Sequence, residues 1–149
     1  AKKICLKRLG GLPDIVLLNR SGLKIIVSSL LENAIKYSPP GASVSLIGHT
    51  TGELFFFEIY DRGPGVPDDE KEKIFERHYR GRLTSDSSKG TGIGLFAAKQ
   101  LAVALGGDIM VVDRLGGGSV FHVWFQQMPQ DTATDKKNEQ TSWVKAGPD

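Results

Sequence analysis

The segment KGTGIGLFAAKQLAVALGG, Lys89–Gly107, sets three alternating glycines, Gly90, Gly92 and Gly94, directly before an apolar-periodic run. The run reads as a helix over residues 92–105, closed by Gly106-Gly107. Glycines at the mouth of a helix serve one of two purposes. They supply backbone conformations and close packing that other residues resist, or they leave room for an anion held by free N–H groups and the helix dipole. The G-x-G-x-G spacing after a polar loop does not fit a dinucleotide fingerprint, and no Gly-Lys-Ser/Thr end marks a phosphate loop of the Walker kind, since Lys89 precedes the glycines.

Outward from this segment, the chain alternates short strands with helices. ICLKRL and IVLLN read as strands around a Gly-Gly-Leu-Pro turn. Ser21 reads as an N-cap, followed by a helix with Leu23, Val27, Leu30, Leu31 and Ala34 as its core stripe, stopped at Pro39-Pro40-Gly41. ASVSLIGH and LFFFEIYD form a hairpin through residues 50–53. The loop DRGPGVPDDE leads into a short helix from Pro67, and RGRLTSDSSKG reads as a mobile loop with little to bury. DIMVVD and SVFHVWF form a last hairpin through Gly116-Gly117-Gly118. This order predicts a two-layer α/β sandwich with a mixed or antiparallel sheet and each long helix on one face. The expected domain is residues 1–128, with a polar, disordered tail over 129–149.

The 149 residues suit one domain with a core, and a net charge of +2 with scattered lysines and arginines gives no clustered face for nucleic acid. Cys5 stands alone, which excludes an internal disulfide or a multi-cysteine zinc site. No apolar run reaches membrane-span length and no signal peptide is visible, so no membrane contact is expected of these residues. The chain opens without Met and is expected to be a piece of a longer protein.

Two further stretches carry chemistry. Asp61-Arg62-Gly63-Pro64-Gly65 follows an apolar strand. Its aspartate is either a turn residue or an acceptor for the amino group of a planar ligand, with the glycines letting that ligand lie against the backbone. On the first helix, Ser29, Asn33, Lys36 and Tyr37 share a polar face. An asparagine amide oxygen can hold Mg²⁺ or its waters, and a lysine three residues on can reach a phosphate; a solvated outer face would look the same. In FERHYRG, Arg77 and Arg80 are within reach of an anion or are solvated charges at a helix end.

Together and in order, LLENAIKYS, DRGPGVP, IFERHYRG and KGTGIGL resemble the N, G1, F and G2 boxes of the catalytic and ATP-binding domain of sensor histidine kinases, a branch of the GHKL superfamily. GGGSVFHVWF resembles the closing glycine turn and last strand, and the likeness spans residues 12–127. The resemblance implies an α+β Bergerat fold, a mostly antiparallel mixed sheet covered by helices on one face. It implies Mg²⁺-ATP as ligand and transfer of the γ-phosphoryl group to a histidine of a dimerisation domain, with a response regulator as the next partner. Asn33 matches the Mg²⁺-binding asparagine, Lys36 a phosphate-contacting lysine, and Tyr37 an aromatic residue near the nucleotide. Asp61 matches the aspartate that reads the adenine amino group, and Gly63, Gly65 and Val66 border the base. Arg80 matches an arginine at the terminal phosphates, which would stabilise charge in a loose transition state. Gly90, Thr91, Gly92, Ile93, Gly94 and Leu95 match the loop that closes over the phosphates, and Gly81–Lys89 the lid. Such domains are cytoplasmic, even when the parent protein is anchored in a membrane.

The sequence departs from the family pattern at three places. Ser29 stands where a second asparagine is usual, which leaves space for a water and would lower metal affinity; it also cannot act as the water-activating glutamate of the hydrolysing branch. Glu32 is expected to point about 100° around the helix from Asn33. His78 replaces a phenylalanine and reads as a lid-packing residue rather than a phosphoacceptor. No HELRTPL-like acceptor motif occurs, and His49 and His122 read as strand residues with structural roles. The competing readings are a nucleotide-binding docking module, an anti-sigma-type serine kinase of the same fold and, for want of the glutamate least favoured, an ATP hydrolase.

Overall fold

A computed structural model describes residues 5–9, 19–51, 53–84 and 90–126, with only the backbone of 5–9 and 84. Strand β1 is Cys5–Leu9, helix α1 Arg20–Tyr37, β2 Ser43–Thr51, β3 Leu54–Tyr60, α2 Gly94–Ala104, β4 Gly107–Asp113 and β5 Ser119–Gln126. The five strands lie in the order β1-β2-β3-β5-β4, with β1 parallel to β2 and every other pair antiparallel. The expected mixed, mostly antiparallel sheet is present.

Alternation along the strands makes one face of the sheet apolar. Phe55, Phe57 and Ile59 of β3, Phe121, Val123 and Phe125 of β5, and Ile109 and Val111 of β4 are all buried there. Both helices pack on that face. The buried line of α1 is Gly22, Ile26, Leu30 and Ala34, with Leu23, Val27 and Leu31 flanking it. The predicted stripe therefore missed Ile26: in an apolar cluster, spacing alone does not choose between neighbouring rows. The opposite face is polar-aromatic. His49 stacks on Phe56 with ring centres 5.2 Å apart. Glu58 joins His122 (Nδ1–Oε1 2.8 Å) to Tyr60, whose hydroxyl donates at 2.6 Å and is pushed up to about 12, chiefly by that bond to a carboxylate. His122 and His49 thus have the structural roles expected of them.

Three local expectations are corrected. The N-cap of α1 is Asn19, not Ser21: the Asn19 side chain accepts a bond from Gly22 N at 2.8 Å. Asn19→Ala should therefore cost about 1 kcal/mol, read as a lower midpoint in urea at unchanged slope. Helix α2 begins at Gly94 rather than at residue 92, because Gly92 takes a left-handed conformation with φ +68°. The short helix after Pro67 is two single 3₁₀ turns, Asp68–Glu70 and Lys73–Phe75, followed by a third at Arg82–Thr84. Of the predicted strand over residues 15–19, Asn19 is the helix cap instead, and residues 15–18, loop residues 85–89 and the tail from 129 lie outside the described residues.

Candidate functional site

A cleft of about 330 Å³ opens between α1, the loop after β3 and the start of α2. Its most constrained residue is Asp61, one position past β3. Asp61 N donates to Ser119 O at 3.0 Å, and Asp61 Oδ1 accepts from Gly63 N at 2.8 Å and Ser119 N at 3.0 Å. The residue is 4% exposed, yet it lines the cleft. Among the described residues no buried side-chain oxygen lacks a partner, so Asp61 Oδ2, which takes neither of these bonds, is left accessible on a residue that lines the cleft. Burial pushes the carboxyl above its ordinary range, while the two amide N–H groups and Arg114 pull it back.

The backbone of Asp61 is held as tightly as its side chain. Arg114 Nη1 donates to Asp61 O at 2.7 Å. Gly118 lies so close that a Cβ there would collide with the Asp61 carbonyl. Arg62 N donates to the buried Ser38 Oγ at 3.1 Å, and Arg62 Nη1 to Gly116 O at 3.0 Å. The β4–β5 glycine turn is therefore a brace for the aspartate. Ser119 and this brace are not visible in the sequence, which shows only a hairpin turn.

Helix α1 turns five residues to the cleft: Ser29, Glu32, Asn33, Lys36 and Tyr37. Glu32 belongs with them, contrary to expectation. At 3.6 residues per turn Glu32 stands about 40° beyond Lys36, at the rim of the arc that residues 29, 33, 36 and 37 occupy, and borders the cleft from that edge. Asn33 is half-buried. Lys36 Nζ donates to the Tyr37 hydroxyl at 3.1 Å, and a Cβ on Gly90 would collide with that ammonium. The lysine thus sits against the glycine loop. Ser29 Oγ donates to Gly94 O at 3.0 Å, tying α1 to the start of α2.

The segment bearing Arg80 is stitched to the same loop. His78 N donates to Gly92 O at 2.9 Å, and the His78 ring nitrogen lies 3.2 Å from Thr91 O. His78 has φ +65°, the only positive value among the described non-glycine residues, and it packs on the glycine loop; residues 85–89 of the lid on which it was expected to pack lie outside the described residues. Arg80 lines the cleft; Arg77 is exposed and does not. Gly63, Gly65, Val66, Gly90, Thr91, Gly92, Gly94 and Leu95 all border it. Ile93 does not: it precedes α2 and points partly outward, 38% exposed. Glu70, Ile74 and Phe121 also line it, and no motif in the sequence marks them. Among the described residues, no three His, Cys, Asp or Glu side chains gather as a metal site, and no helix is long and apolar enough to cross a membrane.

Residues 18–129 match the family described as histidine kinase-, DNA gyrase B- and HSP90-like ATPase. The adaptive-response sensory kinase SasA of Nostoc sp. is 43% identical over 102 residues, 67% of this chain and 25% of SasA. This chain therefore spans about a quarter of that relative. The mycobacterial sensor histidine kinase MprB has a solved structure 31% identical, with TM-score 0.72, covering 85% of this chain and 83% of that one. A structure of full-length ShkA in complex with AMPPNP is 26% identical, with TM-score 0.70, covering 83% of this chain and 26% of ShkA. With the cleft built from four boxes and these likenesses in agreement, the chain belongs to the histidine kinase-, DNA gyrase B- and HSP90-like ATPase family, among the ATP-binding catalytic domains of sensor histidine kinases.

Proposed function

We propose that the cleft binds Mg²⁺-ATP and presents its γ-phosphoryl group to a histidine on a helical dimerisation domain of the parent protein, which then passes it to a response regulator. The observation that carries this reading is the open Oδ2 of Asp61 in the same cleft as Asn33, Lys36 and Arg80. The carboxylate accepts the adenine amino group, with Gly63, Gly65 and Val66 beside the base and Tyr37 near it. Lys36 and Arg80 meet the phosphates, and the glycine loop with Thr91 and Leu95 folds over them. ShkA, a relative, carries AMPPNP in its structure, which supports a nucleotide here.

The donor set fits Mg²⁺, a hard cation that keeps most of its waters and takes few protein ligands. The Asn33 amide oxygen would hold it, with the Glu32 carboxylate at the edge of the same cleft; bound, it would neutralise charge on the β- and γ-phosphates. In the reaction, an imidazole nitrogen of the acceptor attacks the γ-phosphorus in line. The bond from phosphorus to the bridging oxygen breaks, ADP leaves, and a phosphoramidate forms. The guanidinium of Arg80 balances charge that spreads over the transferring oxygens. Ser29 offers no base to activate water, which favours transfer over hydrolysis. A cytoplasmic placement of the domain follows from this partner set.

The test mixes the purified chain, γ-labelled ATP and a helical acceptor domain bearing the histidine. Acid-labile, alkali-stable label on the acceptor is expected, falling at least about 100-fold in Asn33→Ala, the scale of losing a phosphate-positioning group. Release of inorganic phosphate with an unlabelled acceptor would contradict the reading and favour a hydrolase.

A further inference from the structure

The cleft wall carries a buried carboxylate that nucleotide binding does not call for. Glu70 ends the first 3₁₀ turn, is 1% exposed and borders the cleft. A bare carboxylate there would repel phosphates and be costly to bury. One arginine answers both problems. Arg82 Nε lies 2.5 Å from Glu70 Oε1, and Arg82 N donates to Oε2 at 3.1 Å. Arg82 Nη2 also donates to Asp69 Oδ1 at 2.8 Å, although the Arg82 side chain is 64% exposed. A surface arginine thus reaches back over an acidic turn with both its backbone and its side chain.

What the clamp holds is the segment next to it. Tyr79, Arg80 and Gly81 run between two anchors: His78 N on Gly92 O at one end, and Arg82 on Glu70 at the other. All three line the cleft. With both ends fixed, the backbone that carries Arg80 has little room to swing away from the glycine loop.

We infer that Glu70 and Arg82 are positioning residues, a clamp that closes the Arg80 segment on the cleft so that its guanidinium meets the terminal phosphate of the nucleotide. The inference rests on the ATP reading above. It distinguishes the γ-phosphate from the rest of the ligand, because the clamp acts through Arg80 while Asp61 holds the base.

The experiment measures ATP and ADP affinity side by side, in wild type, Arg82→Ala, Glu70→Gln, Arg80→Ala and the Arg80→Ala/Arg82→Ala double variant, with melting curves in parallel. The ratio of ATP to ADP affinity should fall about tenfold in Arg82→Ala, the size of one charge-assisted hydrogen bond. ADP affinity should stay within about threefold. Glu70→Gln, which keeps the shape and one acceptor oxygen, should move the ratio the same way by less. The double variant should lose no more than Arg80→Ala alone, because residues acting as one unit are not additive. Equal losses for ATP and ADP, an unchanged ratio, or additive losses would overturn the clamp while leaving the ATP site standing. Failure of the folded wild type to bind either nucleotide would overturn both.

Discussion

Asp61→Asn is expected to lower Mg²⁺-ATP affinity at least about 50-fold without lowering the stability of the free protein, a separation that follows from how the carboxylate is held. The asparagine Oδ1 can keep both amide bonds, from Gly63 and Ser119. The other atom changes from an acceptor to an N–H donor facing the adenine amino group, so two donors meet in a buried place. Stability moves in the opposite sense. Burial raises the folded-state pKa of Asp61 above its unfolded value, so the ionised side chain costs stability at neutral pH. That cost is relieved as pH falls through the raised folded pKa, where the native state binds the proton first. The asparagine variant should therefore melt at or above wild type at neutral pH, and its advantage should shrink in acid. Calorimetric titration and melting curves from neutral to mildly acidic pH read both effects. A variant that binds like wild type, or one that unfolds at neutral pH, would contradict this account of the residue.

Gly92→Ala should be the most damaging single change in the glycine loop. The site combines a left-handed backbone with close approach: φ is +68°, and a Cβ would stand 2.7 Å from His78 C and 2.9 Å from Tyr79 O. These are backbone atoms, so no side chain can swing aside. Strain and overpacking together should cost about 2–4 kcal/mol, measured by urea unfolding. The same methyl would push apart the glycine loop and the segment that carries Arg80, so nucleotide binding should fall even at temperatures where the variant is folded. An alanine variant with wild-type stability and affinity would show that the contact between His78 and Gly92 does not hold the site together.

Most of the architecture and much of the cleft could be read from residue pattern. The polar face of α1 follows from the 3.6-residue period, and Asn33, Lys36 and Tyr37 line the cleft together. Asp61 was legible as an aspartate at a strand end beside glycines. Other features were illegible because they depend on distant partners. Ser119 supports Asp61 from 58 positions away, and nothing in GGGSV indicates it. Glu70 sits in the run Asp68-Asp69-Glu70, which reads as the acidic start of a short helix; only the arrival of Arg82 from 12 positions on explains its burial. Ile93 stands among the loop glycines in the sequence, but after the turn at Gly92 it points partly outward. Asn19 is hard to recognise as the cap because Ser21, a good capping residue, stands closer to the apolar stripe.

The most direct measurement is a calorimetric titration of the folded wild-type chain with Mg²⁺-ATP. The account predicts a single site of micromolar to sub-millimolar affinity that weakens when Mg²⁺ is chelated. A folded sample that takes up no heat at millimolar nucleotide would contradict it, and would point to a domain of this fold that acts by docking alone.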